Sequence, residues 1–203
     1  MMRYTGSVNR KSRRLGFSIL ENNKEFLKGR KRTYAPGQHG QANKKLSGYG
    51  EQLAEKQKIA YLYGINDRQL RRLFTVAKKM KGSNALNLLI VLESRLDNLV
   101  YRMGFAPTRR SARQLVTHGH ILVNAKKVDI PSTIVLPKAI ISVKEKSRKL
   151  PLITREEKVG TLGFVKVDNA AFSGEYLRYP ERNELNQEIN ETYVVEWYNR
   201  LVK

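Results

Sequence analysis

The chain has no cysteine, so disulfides and thiolate-bound metals are excluded at the outset, and a reducing compartment suits it. Histidine is nearly as scarce: His39, His118 and His120 are the whole supply, and no pair of them sits with acids at metal-ligand spacing. No apolar run is long enough to span a bilayer, and there is neither a lipid-anchor signal nor the apolar core of a signal peptide. Internal repeats, a Walker loop, paired catalytic carboxylates and a nucleophile–base arrangement are missing too, so no catalytic residue, metal or cofactor is expected. At 203 residues and 40% hydrophobic composition, modest cores are within reach but a large catalytic scaffold is not.

Acid is the other shortage. Only 18 Asp+Glu face 39 Lys+Arg, a net charge of +21. Such an excess repels itself in a compact fold and makes sense beside a polyanion, nucleic acid before a membrane surface. The imbalance is local: residues 161–203 carry five bases and seven acids, a net of −2, which leaves +23 on residues 1–160. The polyanion contact therefore belongs to the first four-fifths, and the tail is expected to pack against protein.

Leu92 to Ile130 organises the rest. Leu96, Leu99, Val100 and Met103 fall at i, i+3, i+4 and i+7, the stripe of an amphipathic helix, with Gly104 as its stop. Thr108 is placed to cap a second helix, Arg109 to His118, whose Ala112, Leu115 and Val116 share one arc. Arg109, Arg110, Arg113 and Gln114 lie off that arc. Arg109 and Arg113 are four apart and repel, and all three arginines crowd the turn where the helix dipole disfavours cations. A bound anion would relieve this, and free N–H groups at the helix start would suit a phosphate; the alternative is a solvated basic turn. After Gly119 the period changes to two. Ile121 and Val123 share a face that Val128 and Ile130 continue beyond a turn at Asn124-Ala125-Lys126, with Lys126 and Lys127 at its tip. Asn-Ala is a weaker hairpin turn than Asn-Gly.

RLDNLVYRMGFAPTRRSARQLVTHGHILVNAKKVDIPS, Arg95 to Ser132, closely resembles the helix-helix-hairpin RNA-binding module named after bacterial small-subunit ribosomal protein S-four. The match is long, ordered and nearly gap-free. Its departures are Ala125, where the family usually has glycine, and Lys138-Ala139, where it often has Gly-Asp. APGQHG (35–40), LSGYG (46–50), EKQK (55–58) and YGI (63–65) resemble the same family upstream of the module, so the resemblance covers nearly the whole chain. Some relatives hold a cysteine-ligated zinc in the first fifty residues; here any ordering must be metal-free.

Other segments are read from their own residues. Residues 1–50 hold seven of the 14 glycines and twelve Lys+Arg against Glu21 and Glu25, and are expected to bury little and to order against a partner. His39 reads as a structural or stacking residue. A helix is expected over Glu51 to Tyr63, and another after Asn66 with Gln69 completing a capping box and Leu70, Leu73, Phe74, Ala77 and Met80 as its stripe. Asp97 sits in an Arg-Leu-Asp string that also occurs in RNA pseudouridine synthases. It reads better as a first-turn carboxylate that favours the dipole and holds Arg95, Arg102 or a backbone amide. Strands are expected at Ile140 to Val143, and at Phe164 to Val167 and Glu175 to Tyr179 around a Ser173-Gly174 turn. The end, with Tyr193, Val194, Trp197, Tyr198 and Leu201, has strand propensity but helical spacing, and helix is favoured.

The expected class is α+β. A basic RNA-ordered arm (1–50) and a helical domain (51–91, with 186–203 packing back on it) precede the helix-helix-hairpin module (92–155) on a small, mainly antiparallel sheet, extended by strands (156–185). The resemblance implies a cytoplasmic ribosomal constituent that binds small-subunit ribosomal RNA first and nucleates the subunit body. It also implies contact with ribosomal protein S-five, an influence on translational accuracy and a place near the channel through which messenger RNA enters, with no membrane and no homo-oligomer. The expected RNA-binding residues are Arg109, Arg110, Arg113, Gln114, Asn124, Lys126 and Lys127 on the module, Lys44, Lys45 and Tyr49 on the helical domain, and Arg3, Arg13 and Arg14 on the arm. The rival readings are a general RNA-binding module or RNA chaperone, and an appendage of an RNA-modifying enzyme.

Overall fold

A computed structural model describes residues 4–27, 32–42, 45–153 and 162–201. In chain order the described residues form helices α1 (Val8–Leu15), α2 (Gly48–Leu62), α3 (Asp67–Lys78), α4 (Asn84–Glu93), α5 (Leu96–Arg102) and α6 (Arg109–Thr117). Strands β1 (Ile121–Val123), β2 (Lys126–Lys127), β3 (Ala139–Val143), β4 (Val165–Asp168) and β5 (Ser173–Tyr176) follow, then helix α7 (Glu191–Leu201). They divide into two compact units, Met1–Ala85 with Asn186–Lys203, and Leu86–Leu185. No helix among the described residues is long and apolar enough to cross a membrane.

The first unit is helical. Asn66 and Gln69 form the reciprocal capping box that opens α3, with Asn66 Oδ1 accepting from the Gln69 N–H at 2.8 Å and Gln69 Oε1 accepting from the Asn66 N–H at 3.4 Å. Leu70, Phe74 and Ala77 are fully buried. The final segment is a helix because Val194, Trp197 and Tyr198 then share one buried stripe. Tyr198 stacks on Phe74 with centroids 5.2 Å apart, Trp197 lies 4.9 Å from Tyr49, and Lys56 Nζ sits 4.5 Å from the Trp197 ring centroid. Residues 1–50 bury more than their composition suggests. The left-handed Gly16 stops α1, and the turn after it drives Phe17 and Ile19 into the core, with Ser12 Oγ accepting from the Ile19 N–H.

Asp67 joins these helices, taking the Tyr198 hydroxyl at 3.0 Å and Lys56 at 2.9 Å. Burial raises its pKa, but Lys56 and Tyr198 outweigh burial and hold it below the usual 3.8. The folded state therefore binds this proton less readily than the unfolded chain. The contribution is fully present above pH 3.8 and is lost as pH falls through the lower folded value. In thermal melts across pH, Asp67→Asn should be less stable than the parent at neutral pH, with the gap closing below that value.

The second unit is a five-stranded sheet of order β2-β1-β3-β5-β4, antiparallel throughout, with α5 and α6 against it. The two helical stripes, Leu96, Leu99, Val100 and Met103 with Ala112, Leu115 and Val116, meet Ile121, Ile141, Val143, Phe164 and Tyr176 in one core. Along β3, Ala139, Ile141 and Val143 are buried while Ile140 faces out, the period-two pattern of a half-buried strand. Burial pushes the Tyr176 hydroxyl up to about 12, and it pairs with Ser94 Oγ at 2.9 Å.

Three local expectations are corrected. Ile130 does not continue the core face; it is 59% exposed, because the chain leaves the sheet after Lys127 and residues 131–135 turn to the start of α5 instead. There Pro131 and Thr133 carbonyls accept from the Asp97 and Leu96 N–H groups, and the Val135 N–H donates to Ser94 O, which holds Arg95 extended and separates α4 from α5. Ser173-Gly174 is strand rather than turn. Gly174 lies under Met103, whose Sδ would be 2.8 Å from an added Cβ; the reversal is made earlier, where Asp168 Oδ1 accepts from the N–H groups of Ala170 and Ala171. The hairpin loop is two residues, not three. Asn124 and Ala125 both have positive φ, 48° and 63°, as a type I′ turn requires. Ala125 thus holds the left-handed conformation at a cost of about 1–2 kcal/mol, of which glycine's larger unfolded entropy would offset about 0.4–1. Ala125→Gly should raise stability by about 0.5–1 kcal/mol in denaturant titrations.

Candidate nucleic-acid interface

Helix α6 starts on a second capping box. Thr108 Oγ1 accepts from the Ser111 N–H at 3.2 Å and Ser111 Oγ accepts from the Thr108 N–H at 3.0 Å, so one N–H expected to await a phosphate is taken within the chain. The arginines are not left stranded either. Arg113 Nη1 donates to Asp97 Oδ2 at 2.9 Å, and Arg109 Nε donates to Asn98 Oδ1 at 2.8 Å while its guanidinium lies 4.5 Å from the Tyr101 ring centroid. The sequence-based argument from strain therefore fails at these two positions. Tertiary partners on the first turns of α5 supply the relief that an anion was expected to supply.

Those partners belong to a buried network. Asp97 takes Arg95 through Nε at 3.1 Å and Nη2 at 2.8 Å, besides Arg113. Glu93, at 0% exposure, takes Arg102 through Nε at 3.0 Å and Nη2 at 2.8 Å and accepts from Asn98 Nδ2 at 2.6 Å. Two chains of contacts run outward: Arg95–Asp97–Arg113, and Arg102–Glu93–Asn98–Arg109. The inner ends, Arg95 and Arg102, are sealed with side chains 3% and 8% exposed, while Arg113 is 27% exposed. Arg95 and Arg113 share Asp97, Arg102 pairs with Glu93, and Arg109 joins them through Asn98. Strain does not point to an anion here; the net charge of +23 over residues 1–160 does.

Other expected residues surround that end. Arg110 and Gln114 are exposed on α6, and Lys126 and Lys127 are exposed on β2. Lys127 is folded back over Gly119, whose left-handed φ of 73° brings the chain out of α6; an added Cβ there would run into the lysine side chain. The hairpin cation thus comes to the C-terminal end of α6. Asn124 is partly committed, its Oδ1 accepting from the Ile140 N–H at 2.9 Å, which leaves its NH2 group as the outward donor. Beside them, His120 Nδ1 lies 2.9 Å from Ser147 Oγ, and burial, then His118 and Lys144, push its pKa down, so it adds no charge at neutral pH.

In the helical unit Arg14 and Lys45 are exposed, and Tyr49 is 59% exposed on the face of Trp197. Arg13 is turned to the chain, Nη1 donating to the Arg32 carbonyl at 2.9 Å, so it ties a loop. Arg3 and Lys44 lie outside the described residues. Sequence reasoning missed Glu93 and Asn98; of the partners it offered Asp97, Arg95 is one, but Arg102 pairs with Glu93 instead, and Arg113 was not foreseen. The contacts span 11 and 16 residues, which no local pattern encodes.

Residues 3–93 match the family model described as the ribosomal protein S4/S9 N-terminal domain, and residues 94–141 match the S4 domain. Over the full length of both chains, the sequence is 62% identical to small ribosomal subunit protein uS4 of Malacoplasma penetrans and 57% identical to that of Mycoplasma pneumoniae. The chain belongs to the uS4 family. Ureaplasma urealyticum uS4 is 60% identical over the same full span. The junction of the two matched regions falls between Glu93 and Ser94, so the buried carboxylate at the end of α4 and the uS4-family arginines it serves lie on opposite sides of it. The relatives are named as ribosomal constituents, not as enzymes.

Proposed function

We propose that the chain is a structural constituent of the small ribosomal subunit that binds small-subunit ribosomal RNA as a primary protein and nucleates assembly of the subunit body. The observation that carries the reading is the net charge of +23 on residues 1–160, part of it displayed by exposed Arg110, Lys126 and Lys127 beside the Asp97 and Glu93 network. A-form RNA hides its major-groove edges, so fixed guanidiniums and flexible lysines would read phosphates and 2′-hydroxyls of a folded junction by shape. Arg109, Arg110, Arg113, Gln114, Asn124, Lys126 and Lys127 make the module's contacts in this reading, with Lys44, Lys45 and Tyr49 contributing from the helical part. Arg3, Arg13 and Arg14 belong to the arm, Arg13 indirectly through the loop it ties.

The basic arm, the helical domain and the module act together on the RNA, while the acidic tail region is left for protein. Ribosomal protein S-five is the proposed neighbour, with messenger RNA passing nearby and translational accuracy sensitive to that contact. Competition tests the reading: full-length small-subunit ribosomal RNA should displace a labelled fragment of itself far more effectively than duplex DNA of equal length. Equal competition by the duplex would favour a general RNA chaperone instead.

A further inference from the structure

We infer that Asp97 and Asn98 are positioning residues for RNA recognition, holding the Arg113 and Arg109 guanidiniums in the orientation in which they meet phosphate. The inference rests on the RNA-binding reading above and adds to it a role for two buried groups that touch no RNA themselves.

A bare arginine on an exposed helix turn samples many rotamers, and a contact made by it must first overcome that disorder. Here the disorder is removed in advance. Asp97 is 5% exposed and locked by the bidentate grip of Arg95, so its second oxygen is a fixed point from which Arg113 extends. Asn98 is 2% exposed and locked by Glu93 through its NH2 group, which turns its Oδ1 toward Arg109; Tyr101 supports the same guanidinium from its face. Among the described residues, Asp97 is the one side-chain partner of Arg113, and it engages Nη1 alone. Nε and Nη2 then present the planar fork that suits a phosphate.

Charge alone predicts the opposite of positioning. A carboxylate beside an RNA-binding face repels phosphate, so its removal should tighten binding if Asp97 acted only through the field. If it orients Arg113, its removal should weaken binding even though the protein becomes more positive. The sign separates the two accounts.

The test is a double-mutant cycle on the full chain, reading affinity for full-length small-subunit ribosomal RNA across salt concentrations, with circular dichroism and melts confirming fold. Arg113→Ala alone should weaken binding about tenfold, the scale of one charge-assisted contact. Asp97→Asn should weaken the parent by a similar factor and leave the Arg113→Ala background nearly unchanged. Asn98→Ala should behave likewise against Arg109→Ala. If Arg113→Ala and Arg109→Ala have no effect, the RNA-binding assignment of α6 fails. If they weaken binding but Asp97→Asn and Asn98→Ala tighten it, or act equally in both backgrounds, positioning is overturned while that assignment stands. Should the buried variants not fold, Arg113→Lys decides, since it keeps the charge at a partly exposed side chain. A loss close to that of Arg113→Ala supports the fixed fork, and parent-like affinity overturns it.

Discussion

Glu93→Ala is expected to destabilise the unit spanning Leu86–Leu185 by about 3–5 kcal/mol, because it breaks a buried ion pair by removing the carboxylate from an Arg102 guanidinium only 8% exposed. The loss also strips Asn98 Nδ2 of its carboxylate acceptor and leaves it only the residue-93 carbonyl at 3.0 Å, which loosens the lock on the Arg109 partner. Denaturant titration of the full chain should show the transition of this unit moving while that of the helical unit holds. A paired replacement, Glu93→Met with Arg102→Leu, removes both charges and fills similar volume. It should recover most of the stability, within about 1–2 kcal/mol of the parent, because burying the pair gives little net gain over apolar packing. If Glu93→Ala cost no more than an ordinary surface change, the network would not be closed to water as its burial indicates.

The largest functional effect is expected from Arg109→Ala combined with Arg113→Ala. Two charge-assisted contacts at about tenfold each give an affinity loss of about a hundredfold for small-subunit ribosomal RNA. The slope of log affinity against log salt should fall by about 1.4–1.8, taking about 0.7–0.9 per phosphate neutralised. The fold should survive. Asp97 keeps its bidentate Arg95, while the unpaired amide oxygen on Asn98 and the lost Arg109–Tyr101 stacking cost about 1–3 kcal/mol. An affinity loss with an unchanged salt slope would show that these arginines act through the fold rather than through phosphate.

The parts of this structure written in short-range pattern were legible in the sequence. The α5 and α6 stripes at helical spacing are the buried faces of those helices, and Thr108 and Asn66 cap where a hydroxyl or amide precedes an apolar run. The Asn124-Ala125 turn was visible as well, though only the backbone shows that alanine accepts the left-handed conformation. Gly174 misled because a glycine in a strand reads as a turn until the Met103 side chain above it is known. Phe17 and Ile19 were hidden by the basic residues around them, since composition averages over a segment while burial is decided residue by residue.

The candidate site was half legible. Its cations could be named from spacing and from the family resemblance, but their physical state could not. Like charges four apart on a helix look unsupported when only neighbours are counted. Here the support comes from α5, whose extended start at Arg95 is itself set by residues 131–135. That loop therefore reaches the arginines through Asp97. In the proposed reading α6 brings guanidiniums held in direction by α5, whereas Lys126 and Lys127 on the hairpin bring ammonium groups on long aliphatic stems.

Crosslinking is the most direct test of whether this face meets RNA. In small subunits purified from cells making the chain, irradiation followed by mass spectrometry of peptide–nucleotide adducts should place nucleotides on the peptides carrying Arg109 to Gln114 and Asn124 to Lys127. Recovery of both peptides free of adducts, with nucleotides attached elsewhere on the chain, would contradict the account.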